Sequence, residues 1–268
     1  MVLVPVILTG CGEDSAGPAV PVPPPPPPAP PAPPSPTPTP TPAPAGTINV
    51  TPETDINRII ETSDRTRPLT LVLGRGVYRQ NIVINRSNVT VRGASGDVGD
   101  AVVVGGATGA PVQVTNNASG VVLENFSILN TRSLASIEYG INAEDATEVT
   151  VTGVDIVLFP TVTPPASRGV AIGFGSAAAG ATSKNLTVTR SNLFVAGAGS
   201  SAGIRIAGDN AGINLRVETN NIFLGYEAVP DISDQLIRPT AQDVGAGSAA
   251  IFIESAVTGL SLTFTGNT

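Results

Sequence analysis

A short phrase recurs along the C-terminal half of the chain with altered words. It reads Gly140-Ile141-Asn142-Ala143, Gly169-Val170-Ala171-Ile172, Gly203-Ile204-Arg205-Ile206 and Ala250-Ile251-Phe252-Ile253. After a gap rich in Gly, Ala and Asp, each copy is followed by a second apolar triplet: Val149-Thr150-Val151, Leu186-Thr187-Val188, Leu215-Arg216-Val217 and Leu260-Ser261-Leu262. Strand pairs returning at roughly 30 to 45 residues are the mark of a stacked-coil protein, in which no unit buries its apolar face alone. This pattern restricts the chain to an all-β solenoid and leaves its chemistry open.

Composition narrows the chemistry by exclusion. The chain has no His, one Cys (Cys11) and one Lys (Lys184). Histidine triads, histidine metal sites and disulfide frameworks are therefore ruled out. The net charge is −7 with only 13% charged residues, which speaks against nucleic acid, whose binding needs a basic stripe. Trp is absent and aromatics make up 4%, so no tryptophan platform exists for stacking sugars.

The prolines crowd into Pro18–Pro44. Such a segment cannot bury a core and populates polyproline II. About 27 residues at about 3.1 Å each reach on the order of 80 Å. Upstream, the apolar run Val2–Leu8 leads into Leu8-Thr9-Gly10-Cys11. This resembles the lipobox of bacterial lipoproteins, which implies cleavage before Cys11, lipidation of Cys11 and membrane attachment through its acyl chains. Gly12, not Asp, follows the cysteine, which points to an outer membrane or cell-surface location. The expected organisation is a signal over residues 1–11, a disordered tether over 12–46 and a folded domain over 47–268.

The domain opens on Thr51-Pro52, read as N-cap and first helical residue, with Ile56, Ile59 and Ile60 on one helical face. A short helix here would cap the open end of the stack. Short β-branched strands follow at Leu69–Leu73, 81–84, 89–91, Ala101–Val104, Val112–Val114, 121–123 and 126–129, punctuated by Gly, Asn and Ser. Ser127, Asp155, Asn192 and Asn221 fall in one column, where small polar side chains can hydrogen-bond from coil to coil.

The opening of the domain carries a resemblance. A capping helix, a Leu-Val-Leu strand, Gly76-Val77-Tyr78-Arg79-Gln80-Asn81-Ile82 and Asn88-Val89-Thr90-Val91-Arg92-Gly93 are similar to the pectin lyase-like superfamily. The resemblance covers about Thr47 to Thr268. It implies a single-stranded right-handed parallel β-helix with a short N-terminal capping helix. It does not carry over a catalytic set. Pectin methylesterases read Gly-x-Tyr-x-Glu, and here Gln80 stands in the place of Glu. Their Gln-Ala-Val-Ala-Leu and Asp-x-x-Phe-Gly segments have no counterpart. Gly203-Ile204-Arg205-Ile206-Ala207 echoes the Arg-Ile-Lys of polygalacturonases with Ala where Lys belongs, and the paired aspartates and Gly-His-Gly of that family are missing.

Alternation along the recurring phrase still nominates a face. With Ile141, Val170, Ile204 and Ile251 inward, the outward column is Asn142, Ala171, Arg205 and Phe252; the next is Glu144, Gly173, Ala207 and Glu254. Asp145 and Asp209 lie just past the strands. Arg205, Glu144 and Glu254 are the candidates for acid–base work, which two carboxylates perform only at the right separation. Asn142, Arg205, Phe252 and Asp209 are the candidates for binding a sugar acid, or calcium with a sugar. The insertions Phe159–Ser167 and Tyr226–Gly247 can wall such a groove. Two functions follow: a tethered module that binds carbohydrate or a cell-surface protein without a resident cofactor, or a polysaccharide lyase or hydrolase, for which calcium is the expected ion. The final phrase, 260–268, lacks a helix after it, so the isolated domain is expected to associate through that end.

Overall fold

The computed structural model describes residues 46–268, apart from residues 107 and 225 and the segments 131–136, 159–167, 176–183, 196–200, 208–211, 228–239, 242–248 and 254–258. Cys11, the tether, Asp209, Glu254, the first insertion and most of the second lie outside the described residues.

The β-branched triplets form strands, and parallel pairing stacks each on its counterpart one coil away. The first sheet holds Thr47–Val50, Leu69–Leu73, Val89–Gly93, Val121–Glu124, Glu148–Thr152, Lys184–Thr189, Ile213–Glu218 and Ser261–Thr265. The second holds Gly76–Tyr78, Ala101–Val104, Ser127–Asn130, Asp155–Leu158, Asn192–Val195 and Asn221–Leu224. The third holds Ile82–Ile84, Val112–Val114, Ile137–Ala143, Arg168–Phe174, Ala202–Ile206 and Ala249–Ile253. The chain visits the three in rotation, and all three pair in parallel. This is a parallel β-helix; its right-handed winding is the sense that twisted parallel crossovers adopt. A side hairpin, Tyr226–Glu227 with Thr240–Ala241, is antiparallel. The recurring strand pair is thus two sides of a three-sided coil, and the sequence pattern does not single out Thr47–Val50, Gly76–Tyr78, Asp155–Leu158, Asn192–Val195 or Asn221–Leu224 as strands.

Period-two alternation builds the core. Leu71, Val91, Leu123, Val151, Val188 and Val217 stack in register inside the first sheet, all fully buried. At about 4.8 Å between coils, eight strands make a column about 34 Å long. In the last coil Leu262 and Phe264 continue these inward columns yet are 46% and 45% exposed.

The N-terminal end is covered. The helix spans Ile56–Thr62, and Ile56 and Ile60 are buried beneath it. Its N-cap is Asp55, whose carboxylate accepts from Arg58 N at 3.0 Å, and not Thr51. Thr51 and Thr54 instead close a turn upon each other. Two cap-forming sequences compete here, and the one directly beside the isoleucine stripe captures the helix. Tyr78, the aromatic of the opening phrase, is fully buried and places its hydroxyl 2.9 Å from Val50 O and 2.8 Å from Gly74 O. Burial pushes its pKa up to about 12.

The corner between first and second sheets repeats in detail. Asn125, Gly153, Arg190, Thr219 and Gly266 all take φ between 51 and 61°, one left-handed residue per coil. Thr219 bears the highest steric cost there because it is β-branched. The two residues after it form two polar ladders. Inside the corner, Val154 N donates to Ser191 Oγ, Ser191 N to Asn220 Oδ1, and Asn220 N to Asn267 Oδ1; the amides of Asn220 and Asn267 satisfy Val188 O and Val217 O. Outside it, the column Ser127, Asp155, Asn192 and Asn221 is in register. Asn192 Nδ2 donates to Asp155 Oδ1 at 2.6 Å and Asn221 Nδ2 to Asn192 Oδ1 at 2.7 Å.

Asp155 carries a charge in a ladder that needs only an acceptor. Burial raises its pKa above 3.8, against the opposing hydrogen bonds from Asn192. A folded pKa raised above the unfolded value leaves stability complete below the unfolded pKa and lost as pH climbs through the folded one. Asp155→Asn keeps the acceptor and removes the charge. Its melting temperature is expected to exceed that of the parent at pH 7, with the gap closing below pH 3.8. A variant that melts at or below the parent at pH 7 would refute this.

Candidate functional site

The site is built from the recurring phrase on the outer face of the third sheet. The copies at Gly140 and Gly203 begin small because two consecutive residues face inward there, and the first meets the second sheet. A Cβ on Gly140 would fall 2.4 Å from Ile156 Cγ2, and one on Gly203 2.6 Å from Ile222 Cγ2. The isoleucines set the true register: Ile141, Ile172, Ile204 and Ile251 are partners. The copy beginning at Gly169 is therefore displaced by two residues from the sequence alignment. Val170 pairs with Tyr139 and Ala202. Ala171 is not outward but fully buried.

The outward column is Asn142, Gly173, Arg205 and Phe252. Gly173 decides what this column can do. A Cβ at Gly173 would lie 2.4 Å from Tyr139 Cε1 and 2.8 Å from Cδ1. The missing side chain lets the Tyr139 ring lean across one coil and meet Arg205 from the next. Arg205 Nη1 donates to Tyr139 Oη at 2.5 Å, and Tyr139 Oη donates to Glu144 Oε1 at 2.7 Å. Arg205 also forms an ion pair with Glu144, with 13% and 26% of the two side chains exposed. The Glu144 backbone N–H is held by Asn142 Oδ1 at 3.1 Å. Arg205 and Glu144 thus meet across two coils. Glu254, the third acid–base candidate, lies outside the described residues, as does Asp209. Phe252 is 36% exposed in the same column.

Lys184 supports the site from within. It is 1% exposed, and its Nζ donates to Glu144 O at 3.1 Å. Burial pulls its pKa down, while Asp145 and Glu144 oppose that shift. The only lysine in the chain therefore ties the turn that presents Glu144. Neither Tyr139 nor Lys184 was nominated from sequence. Tyr139 stands one residue before the recurring phrase, and Lys184 opens a strand of another sheet. Among the described residues, no group of three His, Cys, Asp or Glu side chains could hold a metal ion.

The surroundings are uneven. Connections from the first to the second sheet are two residues long except 94–100. The long connections 131–136, 159–167, 175–183, 196–201 and 225–248 all enter or leave the third sheet. Loop length varies around this face and hardly elsewhere, which is where binding surfaces on a rigid scaffold are placed.

No family model and no curated protein matches the chain. Among solved structures, a pectin methylesterase from carrot aligns over 81% of this chain and 88% of its own, with 9% identity and a TM-score of 0.32. The fold assignment stands on the strand register itself.

Proposed function

We propose that the chain is a lipoprotein anchored through Cys11 to an outer membrane or cell surface, spaced from it by residues 12–46, and that its β-helix binds polysaccharide without transforming it. The observation that carries the reading is the ordered outward column of the third sheet. Asn142, Arg205 and Phe252 stand on it, with Tyr139 and Glu144 bridged to Arg205. A rigid row of amide, cation and aromatic groups at coil spacing offers a sugar chain both polar and apolar contacts. The unequal loops at its margins favour the same face.

Retention of the purified domain in gels cast with neutral or uronate polysaccharides, with and without calcium, tests the reading. Retention by at least one polysaccharide is expected, weakened about tenfold or more by Arg205→Ala, a loss of about 1.4 kcal/mol. Release of reducing ends or of unsaturated uronates would replace the binding module by a lyase or hydrolase. Membrane fractionation of the full chain beside Cys11→Ser tests the anchor.

A further inference from the structure

We infer that the outer face of the third sheet takes neutral rather than uronate polysaccharide; the inference rests on the binding function proposed above. It follows from the charges gathered there. Arg205 is ion-paired with Glu144. Lys184 lies buried with its Nζ on the Glu144 carbonyl and under the fields of Asp145 and Glu144. Among the described residues, these two cations and two carboxylates sum to zero. The whole chain carries −7.

A uronate chain presents one carboxylate per acidic sugar. To bind at Arg205 it would have to compete with a carboxylate that the fold already supplies, and approach through a negative field. The exchange brings no new charge pairing. A neutral chain meets no such penalty. Its hydroxyls can donate to Glu144 and to Asn142 Oδ1, since ionised carboxylates and amide oxygens accept. Its apolar C–H faces can rest on Tyr139, half-buried beside Gly173, and on Phe252. Tyr139 Oη spans Arg205 and Glu144 and holds both in place for that contact.

Isothermal titration of the domain with a soluble neutral β-glucan, a galactomannan and polygalacturonate, at about 0.05 and about 0.5 M salt, tests the inference, because charge-driven binding is screened over that range. At least one neutral polymer is expected to bind with an affinity that changes less than about twofold with salt, and polygalacturonate is expected to bind at least about tenfold more weakly than that polymer. Glu144→Gln shifts the site to a net positive charge. It should raise polygalacturonate affinity about tenfold at low salt, or about 1.4 kcal/mol. Asp145→Asn makes the same change of charge at an exposed turn residue and serves if Glu144→Gln does not fold. Salt-sensitive binding of polygalacturonate to the parent, tighter than either neutral polymer, overturns the inference and leaves the binding function intact. An absence of binding by any of the three overturns both.

Discussion

Gly93→Ala is expected to destabilise the β-helix by about 3 kcal/mol or more, a fall of roughly 6–12 °C in melting temperature. Gly93 ends the strand Val89–Gly93 facing inward, beneath the corner of the next coil. A Cβ there would lie 1.9 Å from the Asn125 carbonyl oxygen and 3.1 Å from its carbon. The obstacle is backbone, so no rotamer change relieves it. Asn125 already occupies the left-handed region at φ 57°, and it begins the corner on which the next strand of the second sheet depends. The coil must therefore shift as a body. Gly96→Ala is the matched control. A Cβ at Gly96 meets nothing within 4 Å, so this variant should melt within about 1 °C of the parent, as an unstrained surface change does. Equal melting temperatures for the two alanine variants would remove the close approach as the reason for glycine at position 93.

The second large effect concerns the cap. Arg86 follows the strand Ile82–Ile84 and is almost fully buried. Its guanidinium donates to the carbonyls of Ser63, Asp64 and Arg67 at 3.2, 2.8 and 2.5 Å. Ser63 is the C-cap of the helix, whose last turn contains no basic residue of its own. Arg86 thus supplies, from 23 residues away, the cation and donors that a helix C-terminus lacks. Arg86→Met keeps much of the volume and leaves these carbonyls without those donors. A loss of roughly 3 kcal/mol is expected, with faster amide exchange in Ile56–Thr62 before the core strands. Arg86→Lys should recover less than half of the loss, because an ammonium cannot fork across separate carbonyls. A methionine variant that melts with the parent and keeps its helix protected would show that buried isoleucines alone hold the cap.

The outer face of the third sheet depends on contacts that no local pattern encodes. Ala171 and Gly173 illustrate it. Both are small residues in one strand, and alternation alone allows either to face outward once the register is free by two. The shared isoleucines, Ile141, Ile172, Ile204 and Ile251, are the signal that resolves the slip. Aligning on glycine instead follows a residue that recurs for a different reason, the approach of Ile156 and Ile222 from the second sheet. Arg205 and Asn142 were legible as outward residues, because the copies that hold them align on both criteria. Tyr139 was not, because its role requires a vacancy at Gly173 one coil away and a guanidinium two coils away.

What the sequence determined by itself is the winding of the domain: triplets of alternating β-branched residues, a small polar column at Ser127, Asp155, Asn192 and Asn221, and an amphipathic helix ahead of the first long strand. These are properties of consecutive residues, and period-two burial expresses them wherever the strands end up. Tertiary structure alone decided that Arg205 meets Glu144 and Tyr139, that Lys184 is buried under them, and that Arg86 closes the helix. Each of these contacts joins residues at least 19 positions apart. Each exists only after strand register has been set by the packing of the whole interior, which a two-residue shift in any coil would rearrange.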